Sequence, residues 1–278
     1  MLAAVTALKH TKIGNRHSYN FSEHVQQIVL SLEIVDRYLF RIPELSILNE
    51  TSRILSQASK EGRKSLLETE AKMVCIEYGI PVTKFELAKS EDEAVKFAKA
   101  IGFPTVLKIV SPDIIHKSDI GGVILSLKNA EDVRKGYNSI LQNVRKHDPK
   151  ARIAGILVQE MAPPSTEVIV GAIKDPQFGP AIMFGLGGVF VEVLKDVTFR
   201  VAPISEDDAC EMINGVKAYP LLKGYRNTPP ADIEAITKIL LNTSRLITDH
   251  MQIKELDLNP VIVYEKGAKA VDARIILE

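Results

Sequence analysis

The run Lys108-Ile109-Val110-Ser111-Pro112-Asp113-Ile114-Ile115-His116-Lys117-Ser118-Asp119-Ile120-Gly121-Gly122-Val123 carries residue types that can hold a phosphate and also react with one. Lys108 closes an apolar stretch, Pro104-Thr105-Val106-Leu107, that reads as a short buried strand, so its ammonium is expected at the mouth of a cleft. Gly121 and Gly122 allow close backbone approach to a ligand, and successive N–H groups in such a turn form an anion-binding concavity. His116 lies between these two features. A neutral imidazole is nucleophilic near pH 7, and a phosphorylated imidazole nitrogen is a good phosphoryl donor. Taken alone, the segment also fits an ordinary hairpin carrying a surface histidine.

Oxygen ligands recur near the C-terminus. In Glu255-Leu256-Asp257-Leu258-Asn259-Pro260, strand alternation puts Glu255, Asp257 and Asn259 on one face, opposite Leu256 and Leu258. Asp272 sits between apolar neighbours in Ala270-Val271-Asp272-Ala273-Arg274. A Mg²⁺ site needs only one or two protein oxygens beside phosphates and waters, which makes Asn259 and Asp272 the metal candidates. The plainer reading is that Asp257 and Asn259 begin a turn before Pro260. The loop Phe184-Gly185-Leu186-Gly187-Gly188-Val189-Phe190 departs from G-x-G-x-x-G, and no G-x-x-x-x-G-K-[ST] is present, so dinucleotide-Rossmann and P-loop readings both weaken. Glu167, in the strand-like Glu167-Val168-Ile169-Val170-Gly171, follows a Pro163-Pro164 break where an adenosine would be sandwiched between lobes; its alternative is an edge-strand carboxylate.

The elements that must position these groups follow from periodicity. Helices are expected near 50–64, 67–78, from Ser90 onward with Glu93 completing a capping box, 130–146, 206–215 and 230–250. Strands are expected near 82–87, 104–109, 123–127, 153–159, 166–173, 180–185, 198–203, 253–258, 260–264 and 268–273. This mixture predicts an α+β (α/β) chain of two lobes, 49–162 and 163–278, with a hinge near 159–164. Residues 1–48 differ in character: they hold His10, His17 and His24, none at helical metal-pair spacing, and a stripe from Val25 to Leu39 that predicts a helix ended by Pro43.

Composition narrows the function classes. Thirty-five basic residues balance thirty-five acidic ones, so no net field recruits nucleic acid or an anionic membrane. Cys75 and Cys210 are too few for a disulfide framework and lack metal-ligand spacing. With no apolar run approaching the roughly 18 residues of a membrane span and no signal pattern, a cytoplasmic protein is expected.

Together the motifs resemble the ATP-grasp fold, two lobes sandwiching a nucleotide, and more narrowly the β subunit of archaeal ADP-forming acetyl-CoA (acyl-CoA) synthetases, relatives of succinyl-CoA synthetase. The resemblance spans about residues 66–278 through Glu70-Ala71-Lys72, the Lys108-to-Val123 segment, Ile156-Leu157-Val158-Gln159-Glu160-Met161, Glu167-Val168-Ile169-Val170-Gly171, Asp175-Pro176-Gln177-Phe178-Gly179-Pro180, Phe184-Gly185-Leu186-Gly187-Gly188, Asp196-Val197-Thr198-Phe199-Arg200-Val201-Ala202-Pro203, Glu255-to-Pro260 and Ala270-to-Arg274. It implies the reversible conversion of acetyl-CoA, ADP and phosphate to acetate, CoA and ATP. It also implies a partner α subunit bearing the CoA-binding domain and its own phosphohistidine, in an α2β2 assembly. By the same resemblance His116 takes part in a second phosphoryl transfer and Asp257 steadies the phosphohistidine. Lys72 and Lys108 meet the nucleotide phosphates, Gly121 and Gly122 offer N–H donors, Glu160 and Met161 line the adenine, Glu167 meets the ribose, and Asn259 and Asp272 hold Mg²⁺. Two alternatives stay open: another ATP-grasp carboxylate ligase, which would not need His116, and a non-catalytic nucleotide-sensing subunit.

Overall fold

Two antiparallel sheets organise the described residues, which are 43–114, 116–225 and 229–278 of the computed structural model. His10, His17, His24 and the stripe from Val25 to Leu39 lie outside them. The described residues open with helices α1 (Pro43–Lys60) and α2 (Glu68–Glu77), with Pro43 at the first position of α1, where its missing N–H costs nothing.

The first sheet is built from β1 (Phe85–Ala88), β2 (Thr105–Val110), β3 (Val123–Leu127) and β4 (Gly155–Glu160), in the order β1-β4-β2-β3. Helices α3 (Glu91–Ile101) and α4 (Ala130–His147) share its core, which gathers Val95, Ala98, Leu107, Ile109, Val133, Ile140, Ile156 and Val158. Ser90 Oγ accepts from Glu93 N–H at 3.2 Å, while Glu93 Oε2 accepts from Lys89 N–H at 2.7 Å, so the expected box closes one residue early. Because Leu107 and Ile109 point into this core, alternation turns Lys108 to the opposite face.

The second sheet contains β5 (Thr166–Asp175), β6 (Gly179–Leu186), β7 (Val197–Val201), β8 (Ile253–Val263), β9 (Ala268–Ala270) and β10 (Arg274–Leu277). Its order is β10-β8-β5-β6-β7, with β9 also pairing β8. Helices α5 (Val189–Glu192), α6 (Glu206–Gly215), α7 (Tyr219–Leu222) and α8 (Ile233–Asp249) complete the chain; the two short ones have no signal in the sequence reading. Val168, Val170, Ala172, Ile182, Phe184 and Leu186 turn to a core shared with Met212, Ile213, Ile236 and Leu240. Their strand neighbours Ile173, Phe199 and Val201 are exposed on the other face. The strands expected at 253–258 and 260–264 are one continuous strand, the strand expected at 268–273 ends at Ala270, and β10 beyond Val271-Asp272-Ala273 was not expected.

The cores divide the chain differently from the division expected at residue 162. Ile54, Leu55 and Ala58 of α1 and Ala71, Val74 and Cys75 of α2 are buried in the second core, with Tyr78 and Ile80. The start of the expected first lobe therefore packs with the second sheet, because the apolar sides of α1 and α2 lie against it. Residues from Leu48 to Glu278 form one compact unit, so α2 bridges the two sheets within a single body. Among the described residues no helix is long and apolar enough to cross a membrane.

The facing of the second sheet is testable. Phe184, with no exposure, should lose about 3–5 kcal/mol of unfolding free energy on Phe184→Ala, whereas Phe199→Ala, on the open face with half its surface exposed, should cost under about 1 kcal/mol. Urea denaturation of the two variants measures this, and equal losses would reverse the assignment.

Candidate active site

Lys108, His116, Lys117 and Asp272 line one cleft of about 610 Å³, together with Lys64, Glu68, Ser118, Asp119 and Arg274. β2 supplies Lys108, the loop after it supplies His116 and Lys117, and the link between β9 and β10 supplies Asp272. His116 is exposed in the middle of this loop, while Lys108 is only 6% exposed.

At the floor of the cleft stands Glu68, the first residue of α2, 5% exposed. Its Oε1 accepts from Lys108 Nζ at 2.8 Å and lies 3.5 Å from Lys72 Nζ, and its Oε2 accepts from Lys117 Nζ. Lys108 Nζ also donates to the Val271 carbonyl at 3.3 Å and lies 3.8 Å from Asp272 Oδ2. Burial works against the Glu68 charge, but Lys108, Lys117 and Lys72 hold the carboxyl far below the ordinary carboxylate range. Burial likewise opposes the Lys117 ammonium, and Glu68, then Asp272, raise it above its ordinary value. Among the charged groups that line it, Lys64, Lys108, Lys117 and Arg274 outnumber Glu68, Asp119 and Asp272 by one, which leaves a net positive cleft suited to phosphate.

Neither Glu68 nor Lys117 was anticipated from the sequence. The signals present were the i, i+4 spacing of Glu68 and Lys72 on one helix and the adjacency of Lys117 to His116.

Other anticipated residues take different places. Lys72 has no exposure: its Nζ donates to Thr83 Oγ1 at 3.1 Å and to Gln159 Oε1, and lies over the Phe85 ring. It stands behind Glu68 and does not line the cleft, so in this conformation it acts on phosphate only through that carboxylate. Gly121 and Gly122 do not present free N–H donors. Gly121 N–H donates to the Ser118 carbonyl at 3.1 Å and Gly122 N–H to the Lys117 carbonyl at 2.7 Å. Their glycine identity serves packing: a Cβ at Gly122 would stand 2.7 Å from Ile109 Cγ2 and 2.8 Å from the Lys117 carbonyl oxygen, and Gly121 has φ +66°. Glu160 N–H donates to the Lys84 carbonyl at 2.9 Å and Met161 N–H to that of Pro104 at 3.3 Å, so both amides are engaged within the protein. The Glu160 carboxylate accepts from Lys269 Nζ at 2.7 Å and Lys84 N–H at 2.9 Å. Although burial favours the neutral form, these bonds hold it below its ordinary pKa. Glu167 is exposed on β5 and lines a separate cavity with Pro164, Phe190 and Tyr264.

The carboxylates of the second sheet are set by register. β8 pairs Val261 with Ala270 on one side of the 271–273 break and Asp257 with Arg274 on the other, in the same register, and Val271 N–H donates to the Pro260 carbonyl at 2.9 Å. Continuing that register puts Asn259 opposite Asp272, on the face that carries Asp257 and Arg274. Burial, then the neighbouring Glu255, push the Asp257 carboxyl above its ordinary pKa, against the pull of Arg274. Burial, then Glu68, do the same for Asp272.

A model of the ATP-grasp domain matches residues 57–277. The chain belongs to the ATP-grasp family. The β subunit of ADP-forming acetate–CoA ligase I of Pyrococcus furiosus is 52% identical over 226 residues, covering 81% of this chain and 97% of that one. The dinucleotide forming acetyl-coenzyme A synthetase 1 of Ca. Korarchaeum cryptofilum, solved in complex with coenzyme A, Ca-AMPCP and HgCl+, is similar at a TM-score of 0.80 and 59% identity, over 81% of this chain and 99% of that one. A second structure of that synthetase has coenzyme A and Mg-AMPPCP bound and its phosphohistidine segment pointing towards the nucleotide binding site; it gives a TM-score of 0.73 at 54% identity, over 82% and 100%. Within the ATP-grasp family the chain belongs with the β subunits of ADP-forming acetate–CoA ligases.

The ATP-grasp chain offers Mg²⁺ a fitting donor set. The Asp272 carboxylate and the Asn259 amide oxygen are hard ligands set opposite one another by register, beside the lysine-lined cleft. Among the described residues no three His, Cys, Asp or Glu side chains converge on one point, so a cation here needs phosphate and water oxygens to fill its shell.

The buried lysine of this ATP-grasp site gives a direct electrostatic test. Burial, and then repulsion from Lys108, push the Lys72 ammonium down to about 8, with Glu68 opposing. The ¹³Cε resonance of Lys72 should therefore titrate near pH 8, and a midpoint above pH 10 would show that Glu68 outweighs burial. Because the unfolded chain keeps this proton to about pH 10.4, the group makes the fold more stable as pH rises from about 8 towards 10.

Proposed function

We propose that this chain is the nucleotide-binding β subunit of an ADP-forming acetyl-CoA synthetase, interconverting acetyl-CoA, ADP and phosphate with acetate, CoA and ATP. The observation that carries the reading is one cleft lined by an exposed histidine, His116, by Lys108 and Lys117, and by Asp272. The partner is an α subunit that binds CoA, forms the acyl phosphate and carries its own phosphohistidine. The family resemblance favours an α2β2 assembly in the cytoplasm, with no role for nucleic acid or membrane. The two sheets form the nucleotide-sandwiching lobes, with the Glu160-Met161 segment as hinge.

In the direction of ATP formation, an imidazole nitrogen of His116 takes the phosphoryl group from the α subunit's phosphohistidine, whose P–N bond breaks as the new P–N bond forms, and passes it to a β-phosphate oxygen of ADP. The P–N bond breaks as the P–O bond forms, and the electron pair returns to the imidazole. Lys108 and Lys117 neutralise the phosphate oxygens as charge spreads over them. Asp257 steadies the phosphohistidine, with its carboxyl held on the sheet opposite Arg274. Glu160 and Met161 border the adenine, Glu167 the ribose, and Lys72 backs the phosphate site through Glu68. Asn259 and Asp272 hold Mg²⁺, which when bound neutralises and orients the nucleotide phosphates.

The test is phosphorylation of the full chain by γ-labelled ATP and Mg²⁺, with and without the α subunit, comparing wild type with His116→Ala. Acid-labile, base-stable label on this chain that vanishes in His116→Ala is expected, with ATP formation by the complex falling at least ~10³-fold and ADP binding retained. Unchanged turnover would remove the histidine from the mechanism. Label on neither chain would favour a carboxylate ligase or a sensor.

A further inference from the structure

We propose that Glu68 is a positioning residue for phosphoryl transfer: its buried carboxylate pre-assembles Lys108 and Lys117 into a single phosphate-binding pair, bridging the helix that carries it to the opposing sheet. The inference rests on reading the cleft as the nucleotide-phosphate site.

The geometry carries it. Glu68 uses both oxygens, Oε1 towards Lys108 at 2.8 Å and Oε2 towards Lys117. Lys108 has further partners in Asp272 and the Val271 carbonyl, but among the described residues Lys117 has Glu68 as its one ion-pair partner. Lys117 sits on a turn and not in a strand, so its direction depends on that contact. A flexible ammonium held by a fixed anion loses less freedom on meeting phosphate, which is how pre-organisation raises affinity.

The carboxylate cannot be replaced by its own helix neighbour. Lys72, one turn along α2, brings another positive charge to the same oxygen at 3.5 Å. Without Glu68, Lys72, Lys108 and Lys117 would keep only Asp272, 3.8 Å from Lys108, as a nearby anion, and Lys117, with a fifth of its side chain exposed, has an open route to solvent. Glutamine at position 68 keeps the shape but offers one acceptor where two are used.

Affinity for ADP and for adenosine, measured on the full chain by calorimetry, separates this role from simple stabilisation. Glu68→Gln should weaken ADP binding about tenfold or more while leaving adenosine binding unchanged, and Glu68→Asp should recover part of the loss. With the α subunit present, KM for ADP should rise and kcat should fall. Lys117→Met should give the same selective loss, and the double variant should lose less than the sum of the two single losses. Lys117→Met also carries the test if Glu68→Gln fails to fold. Equal loss for adenosine and ADP, or ADP binding as in wild type, would overturn the positioning role alone. Wild-type protein that binds adenosine but gains nothing from the phosphates would overturn the reading of the cleft with it.

Discussion

A carboxylate almost removed from water and faced by three ammonium groups is the constraint around which this chain is arranged. An isolated buried charge is too costly to keep, and Glu68 and its lysines are tolerable only together. The grouping fixes where α2 can lie: its apolar residues enter the second core, and its first residue must meet β2 and the following loop. Two sheets with separate cores are thereby joined through charge at one end. The Glu160–Lys269 pair makes a second such tie between the end of β4 and β9. Both ties run between β2 or β4 on one side and elements of the second core on the other, so the cleft is bounded by attachments and not by loops alone.

Backbone geometry then divides the labour. The Gly121-Gly122 turn contributes close packing, folding the chain back so that Ile109 N–H reaches the Gly122 carbonyl at 2.8 Å and the loop with His116 and Lys117 is returned to β2. The positive charge of the cleft is carried by side chains. On the other wall, a shared register across the short 271–273 link keeps Asp272 level with Asn259 although Asp272 lies in no strand. A one-residue slip there would turn Asp257 and Asn259 into the core, where Leu256 and Leu258 now sit, so the hydrophobic pattern that fixes the register also fixes the face on which these oxygens stand.

Most of the strands and long helices were legible because each has one apolar face. Val123–Leu127 and Glu206–Gly215 fall where strand alternation after the glycine turn and helical periodicity put them. The resemblance to ATP-grasp proteins was legible from ordered motifs, and it holds. What stayed hidden was tertiary. Nothing in the pattern of α1 and α2 says which sheet they cover, so they read as part of the first lobe by chain order alone. Gly121 and Gly122 read as phosphate donors because a sequence shows an amide but not its acceptor. Glu68 was hidden among ordinary helical acids: a carboxylate four residues before a lysine is the commonest surface pattern on a helix, and only burial with two distant lysines distinguishes it.

The placement of His116 bears on how the proposed reaction must be organised. It is exposed, whereas Lys108 is buried and Lys117 half-buried in the same cleft. A nucleophile buried among those lysines would receive phosphate only from the nucleotide. One at the rim can be met from both sides, by a donor arriving from outside and by ADP seated within. On the proposed reading, the exposed histidine is the point at which a phosphoryl donor from outside and ADP within the cleft would meet.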